Sequence, residues 1–167
     1  MDKANAPGVV RAQQFELVDS TGTVRGVFCM LHEQTPGLVL VDKDGQTRAT
    51  LAVFPDGSAG LALADQSGKV RATLSVQPDG SPTLALWDKD KKVRASILTG
   101  PDGTTVLNLS DNNEEMRAGL AVGTDGSPGL VLFDKDGETR ARLALLPGGN
   151  PTLDLFDKDG KVLWKAP

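Results

Sequence analysis

Asp recurs seven times at an unvarying spacing of 23, at Asp19, Asp42, Asp65, Asp88, Asp111, Asp134 and Asp157, with no insertion or deletion between copies. A fixed period of that size is one supersecondary unit copied in tandem, so the fold must be an array whose units touch only their neighbours. Six positions after each Asp stands an Arg (Arg25, Arg48, Arg71, Arg94, Arg117, Arg140), with Leu163 in the seventh place. No linker divides the 167 residues. The expected organisation is an N-terminal cap over 1–14, then seven units over 15–167 that start near 15, 37, 60, 83, 106, 129 and 152, the last one partial and acting as the C-terminal cap.

The unit from Gly37 to Ala59 holds two strand-length runs and two turn signals. Asp44-Gly45 suits a two-residue type I′ hairpin loop, and Pro55-Asp56-Gly57 suits a type I turn closed by a left-handed glycine. Both reverse the chain, so neighbouring strands should run antiparallel. Pairing arithmetic then sets Leu40 opposite Ala49, Leu38 opposite Leu51, Leu51 opposite Leu61 and Ala49 opposite Leu63, which puts every aliphatic anchor on one face. The same columns collect Leu74, Leu84, Leu86, Leu107, Leu109, Leu120, Leu130, Leu132, Leu143, Leu153 and Leu155. The alternation has period two throughout and no helical stretch, so the fold class is all-β, an antiparallel meander of hairpins coiled or assembled into an elongated solenoid- or prism-like rod.

The opposite face is mixed. It carries the Arg column, the Thr50, Thr73 and Ser96 column, and a variable column of Val41, Ala64, Trp87, Ser110, Phe133 and Phe156 expected to pair across the hairpin with Arg. Trp87 with Arg94 and Phe133 with Arg140 would then stack as cation–π pairs.

About fourteen strands at roughly 4.8 Å spacing make a sheet about 65 Å long, with an aliphatic face on the order of 1,000 Å². That exceeds what a soluble monomer leaves bare. Coiling, barrel closure or association of chains would cover it, and a homo-oligomer, trimer ahead of dimer, is the expected solution because a seam this uniform suits an interface copied by symmetry. Coiling of one chain into a solenoid is the rival.

Composition narrows the partners. The 18 basic and 22 acidic residues alternate through every unit and leave a net charge of -4, so there is no basic stripe for nucleic acid. Cys29 is the only cysteine, which excludes an internal disulfide and leaves the redox compartment open. Residues 1–11 hold no apolar run long enough for a signal peptide or a membrane span, so insertion of this chain itself into a membrane is not expected.

Units such as LVLVDKDGQTRATLAVFPDGSAG, LVLFDKDGETRARLALLPGGNP and LALWDKDKKVRASI resemble a tandem β-hairpin repeat of uncharacterised bacterial proteins, often found behind an N-terminal membrane anchor. The resemblance covers nearly the whole chain and implies a bacterial, extracytoplasmic structural module with no assigned chemistry. In period the unit is also similar to MORN repeats, but it lacks their Tyr, Trp and Gly-rich pattern.

Three candidate chemistries fall short on the residues. Asp42-Lys43-Asp44-Gly45 and its copies begin like a calcium loop but are too short to supply the remaining oxygens, and turn chemistry explains each residue. The Asp and Arg columns suggest ion pairs between neighbouring hairpins that fix register. Cys29 and His32 sit three apart on a strand and point to opposite faces, with no third orienting group. No catalytic, metal or cofactor site is therefore expected. The reading is a non-enzymatic stalk, fibre or scaffold module; the alternative is a binding module that shows Arg48, Arg71, Trp87, Arg94, Arg117, Phe133, Arg140 and Phe156 to a glycan, a surface polymer or another protein.

Overall fold

The computed structural model describes residues 10–166, so most of the expected N-terminal cap lies outside the described residues. Fourteen strands follow one another: β1 (Gln14–Val18), β2 (Val24–His32), β3 (Thr35–Val41), β4 (Thr47–Val53), β5 (Ala59–Ala64), β6 (Val70–Val76), β7 (Pro82–Trp87), β8 (Val93–Thr99), β9 (Thr105–Ser110), β10 (Met116–Val122), β11 (Pro128–Phe133), β12 (Thr139–Leu145), β13 (Pro151–Phe156) and β14 (Val162–Ala166). They form one antiparallel sheet in strict sequence order, and no helix occurs among the described residues.

The aliphatic register is as expected. Leu38 pairs with Leu51 and Leu40 with Ala49, then Leu51 with Leu61 and Ala49 with Leu63, so each face position is carried 23 residues onward by two reversals. The Asp-led turn differs from expectation. The Asp42 amide donates to the Gln46 carbonyl and the Gly45 amide to the Asp42 carbonyl, which makes a three-residue loop, and only Gly45 of the Asp44-Gly45 dipeptide has a positive φ, at 77°. Val41 therefore pairs with Thr47, and the next pair is Leu40 with Ala49. Arg48 between them is an extra residue, a β-bulge. The same skip isolates Arg25, Arg71, Arg94, Arg117, Arg140 and Leu163. The variable column accordingly faces the residue before Arg, with Trp87 on Val93, Phe133 on Thr139 and Phe156 on Val162.

The turn of the opposite edge, at Phe54–Ser58, has the same loop length and no bulge after it. Asp56 caps it, its carboxylate accepting from the Ser58 amide at 2.9 Å and hydroxyl at 2.7 Å. In the first unit the reversal is instead two residues long, with His32 on Thr35 and Leu31 bulged. Leu31 lies over Gly37, where a Cβ would come within 2.5 Å of Leu31 Cδ1 and 3.0 Å of the Leu51 carbonyl, so a side chain there would have to displace Leu31.

No described strand contacts any strand but its sequence neighbours, and β1 does not pair with β14. The sheet is thus a single open layer: coiling or barrel closure of one chain, the rival expectation, is absent from the described residues. Each reversal lays one strand beside the last, with no connection long enough to fold a second layer onto the first, and the first and last strands do not meet to close the meander.

Candidate functional site

Two surfaces stand out, one apolar and one charged. On the apolar face the pairing builds two unbroken rows. One runs through Leu38, Leu51, Leu61, Leu74, Leu84, Ile97, Leu107, Leu120, Leu130, Leu143 and Leu153. The other alternates large and small, as Leu40, Ala49, Leu63, Ala72, Leu86, Ala95, Leu109, Ala118, Leu132, Ala141 and Leu155. None of the sixteen expected core leucines is buried within the chain: Leu61, Leu107 and Leu153 are half-buried and the rest exposed, from 37% at Leu84 to 52% at Leu74. The buried side chains lie on the other face and are few: Ala52 and Ala85, together with Thr35, Thr152 and Asp154.

Shallow apolar grooves recur on the Leu face, about 260 Å³ around Leu130 and Leu143 and about 150 Å³ around Leu84 and Ile97. These are small for an enclosed ligand site, and two of a kind two units apart are relief on a repeating surface.

The charged surface is the edge formed by the Asp-led turns. Asp42 Oδ1 accepts from the amides of Asp44 and Gln46, both at 3.0 Å, which holds the loop in its type I form. The second carboxylate oxygen meets the bulged Arg of the same hairpin: Arg71 Nε donates to Asp65 Oδ2 at 2.7 Å, and Arg117 Nε to Asp111 Oδ2 at 2.8 Å. The guanidinium then reaches onward. Arg25 Nη1 donates to the Asp42 carbonyl at 2.8 Å, and Arg71, Arg117 and Arg140 donate likewise to the carbonyls of Asp88, Asp134 and Asp157. Arg48 and Arg94 use Nε instead, to the carbonyls of Ala64 and Ser110, each at 2.9 Å. The ion pairs expected between hairpins are therefore within a hairpin, and each Arg links to the next hairpin through a backbone carbonyl, Arg94 also through the Asn112 side-chain oxygen at 2.8 Å.

These contacts favour the ionised carboxylates. The Thr21 hydroxyl and amide, with Arg25, hold Asp19 far below the ordinary range, and the Ser67 hydroxyl with Arg71 does the same for Asp65. Asp111 is lowered chiefly by Arg117, and Asp42 chiefly by the Gln46 amide.

Of the aromatic residues proposed for a binding face, Trp87, Phe133 and Phe156 are half-buried, and Trp87 Nε1 donates to Thr73 Oγ1 at 3.4 Å. They lie on the same side as the Arg column, but the guanidinium donors beside them are already engaged. Cys29 and His32 both lie on β2, and among the described residues no group of three or more His, Cys, Asp or Glu gathers as a metal set.

The sequence reading missed one cluster on the opposite face. Asp154, 1% exposed, accepts from Arg142 Nε at 3.0 Å and Nη2 at 2.6 Å, and from Thr152 Oγ1 at 3.1 Å, with Lys165 Nζ 3.9 Å away. Its carboxyl is held down mainly by Arg142. The signal was present: Arg142 and Asp154 stand where earlier units have Thr50 and Ala62, and the register makes them partners.

No family model matches the chain, and no curated protein does. Among solved structures it is similar to the TCP domain of Drosophila melanogaster SAS-4 (dCPAP), determined with a proline-rich motif of Ana2 (dSTIL), at 15% identity over 94% of this chain and 93% of that one, with a TM-score of 0.42. It is also similar to the wild-type TCP10 domain of Danio rerio CPAP, at 20% identity over 90% of this chain and 93% of that one, with a TM-score of 0.31.

Proposed function

We propose that the protein is a non-enzymatic scaffold: an elongated β-repeat module whose Leu face is closed by further copies of the same chain, three ahead of two. The observation that carries this is the uncovered aliphatic face itself. Two rows of part-exposed side chains run across β3 to β13 without a charged residue, on the order of 1,000 Å² by strand spacing and length. That is more than the ~800 Å² per partner of an ordinary stable interface. Removing such a surface from water at about 25 cal/mol per Å² outweighs the surface ion pairs of the edge.

Three copies are favoured on dimensions. Sheets pack about 10 Å apart, so each gives its inward side chains about 5 Å, and a triangular prism with sides of about 17–20 Å, the span of five or six residues, has an inner radius of about 5–6 Å. Leucine rows fill such a prism without a channel. Alternation of Leu with Ala in the second row gives the relief that lets facing rows interdigitate.

Sedimentation equilibrium tests this: the expected mass is three times the 17.5 kDa chain. Leu84→Lys with Leu132→Lys should dissociate or unfold the assembly. A stable monomer with a native β spectrum would refute the reading, whereas a mass of two chains would replace the prism by a sandwich. A second reading, a face open to a glycan, surface polymer or protein, is favoured by the half-exposed Trp87, Phe133 and Phe156. Trp87→Ala with Phe133→Ala should then abolish binding and spare the fold.

A further inference from the structure

The outer sides of β1 and β14 are the two ends of the sheet, and among the described residues nothing pairs with either. β1 is exposed along its whole length and β14 from Val162 to Lys165. Their residues become complementary if the register used at every regular reversal of the edge opposite the Asp-led turns is extended by one strand. In β12 and β13 that register pairs Ala141 with Leu155, Arg142 with Asp154 and Leu143 with Leu153. Moved along by whole units of 23, it sets Trp164 of β14 opposite Leu17 of another copy's β1, Lys165 opposite Glu16, and Ala166 opposite Phe15.

Both faces of that joint match. Trp164, Ala166, Leu17 and Phe15 all belong to the Leu face, since they pair in turn with Leu155, Leu153, Gly26 and Phe28. On the other face, Lys165 and Glu16 occupy the two positions held by Arg142 and Asp154, which form an ion pair with a 2.6 Å contact. Every other equivalent pair is uncharged: Val27 with Val39, Thr50 with Ala62, Thr73 with Ala85, Ser96 with Asn108 and Gly119 with Val131. Direction agrees as well, because β14 runs away from the Asp-led edge and β1 runs toward it, so the new pair is antiparallel with like faces together.

We propose that the chain joins head to tail, β14 of one copy adding to β1 of a second copy, with Lys165 and Glu16 selecting the partner edge and the register. Charges on edge strands ordinarily serve to keep edges apart. Here they discriminate instead: β1 against β1 brings Glu16 toward Glu16, and β14 against β14 brings Lys165 toward Lys165, while only the unlike edges attract. The joint is heterologous and does not close, so it yields a filament. It holds whether or not the Leu face is shared between chains.

Sedimentation velocity and negative-stain microscopy of the full chain over rising concentration should show growth along one axis. Glu16→Lys or Lys165→Glu alone should raise the concentration needed for growth at least about fivefold, because an attractive cross-strand pair becomes a repulsive one. The double reversal, or a mixture of the two single variants, should restore it. Phe15→Cys with Ala166→Cys in a Cys29→Ser background should give a ladder of oxidised multimers on a denaturing gel, which does not depend on how the charge variants fold. Absence of growth and of a ladder overturns the proposal. So does growth that ignores the charge reversals but vanishes with Leu84→Lys and Leu132→Lys, a result that would leave the shared Leu face standing.

Discussion

Along one margin of the sheet every reversal starts with Asp, ends in a left-handed residue and is followed by a bulged Arg or Leu163; along the other, the reversals use the same three-residue plan at five regular sites but no bulge and no Lys or Arg. The reversals of the second margin carry Glu33, Asp56, Asp79, Asp102 and Asp125 and not one Lys or Arg. At the first, the carboxylate serves its own loop and an Arg that also holds the next hairpin. At the second, the carboxylate serves only its own loop. Loop geometry alone therefore does not make an array cohere: the extra residue admitted by the bulge ties unit to unit, and the plain reversal returns the chain.

Acid is the broadest way to break this contrast. Asp19, Asp65, Asp111 and Asp154 ionise below the ordinary carboxylate range when folded, so the folded chain binds fewer protons than the unfolded one in acid. Their stabilisation is complete above the unfolded value near 4 and is lost as pH falls through the folded values. Urea midpoints should hold level from pH 7 to about 5 and then fall steeply. Hydrogen exchange should show the Arg-side turns opening with them.

Arg117→Ala should be the most damaging single change at that margin. It removes bonds to Asp111 and to the carbonyls of Asp134 and Lys135, and charge-assisted bonds of this kind are worth about 1.5–3 kcal/mol. Asp125→Ala across the sheet loses only contacts to Ser127 in an exposed loop, and should cost distinctly less. Equal losses in urea unfolding would erase the distinction between margins.

Lys91 and Glu114 sharpen it in the other direction, for they hold the left-handed position at φ 64° and 67° where other units have glycine. Lys91→Gly should stabilise by about 1 kcal/mol. Glu114→Gly should gain less, because the Glu114 carboxylate also accepts from the Val93 amide at 3.2 Å. The smallest effect belongs to Lys43→Ala: Lys43 pairs with Asp44 where both are well exposed, and its loss should change stability by under about 0.5 kcal/mol.

The leucine columns were legible because strict alternation leaves one face for them, and because an error of one residue would turn them all outward. The bulge was not legible from register. A two-residue loop at Asp44-Gly45 and a three-residue loop followed by one skipped Arg both bring Leu40 to Ala49 and both preserve the period. The discriminating signal lay in units four and five. A type I′ turn needs two left-handed residues, and Asp90-Lys91 and Asn113-Glu114 would place non-glycine residues at both positions, whereas the observed loop asks it of one. The Arg142–Asp154 pair was legible in the same way, as charged residues in two columns that are neutral elsewhere except at the terminal strands, where Glu16 and Lys165 stand. What covers the leucines was not, since alternation says which side is apolar and nothing of what meets it.

Contact restricted to adjacent strands also has a mechanical consequence. Pulled apart from β1 and β14, such a ribbon has no second layer to share the load, so tension must be borne by one ladder of backbone bonds after another. Rupture should proceed as unzipping at low force, in a sawtooth whose teeth each release one 23-residue unit, about 80 Å of contour.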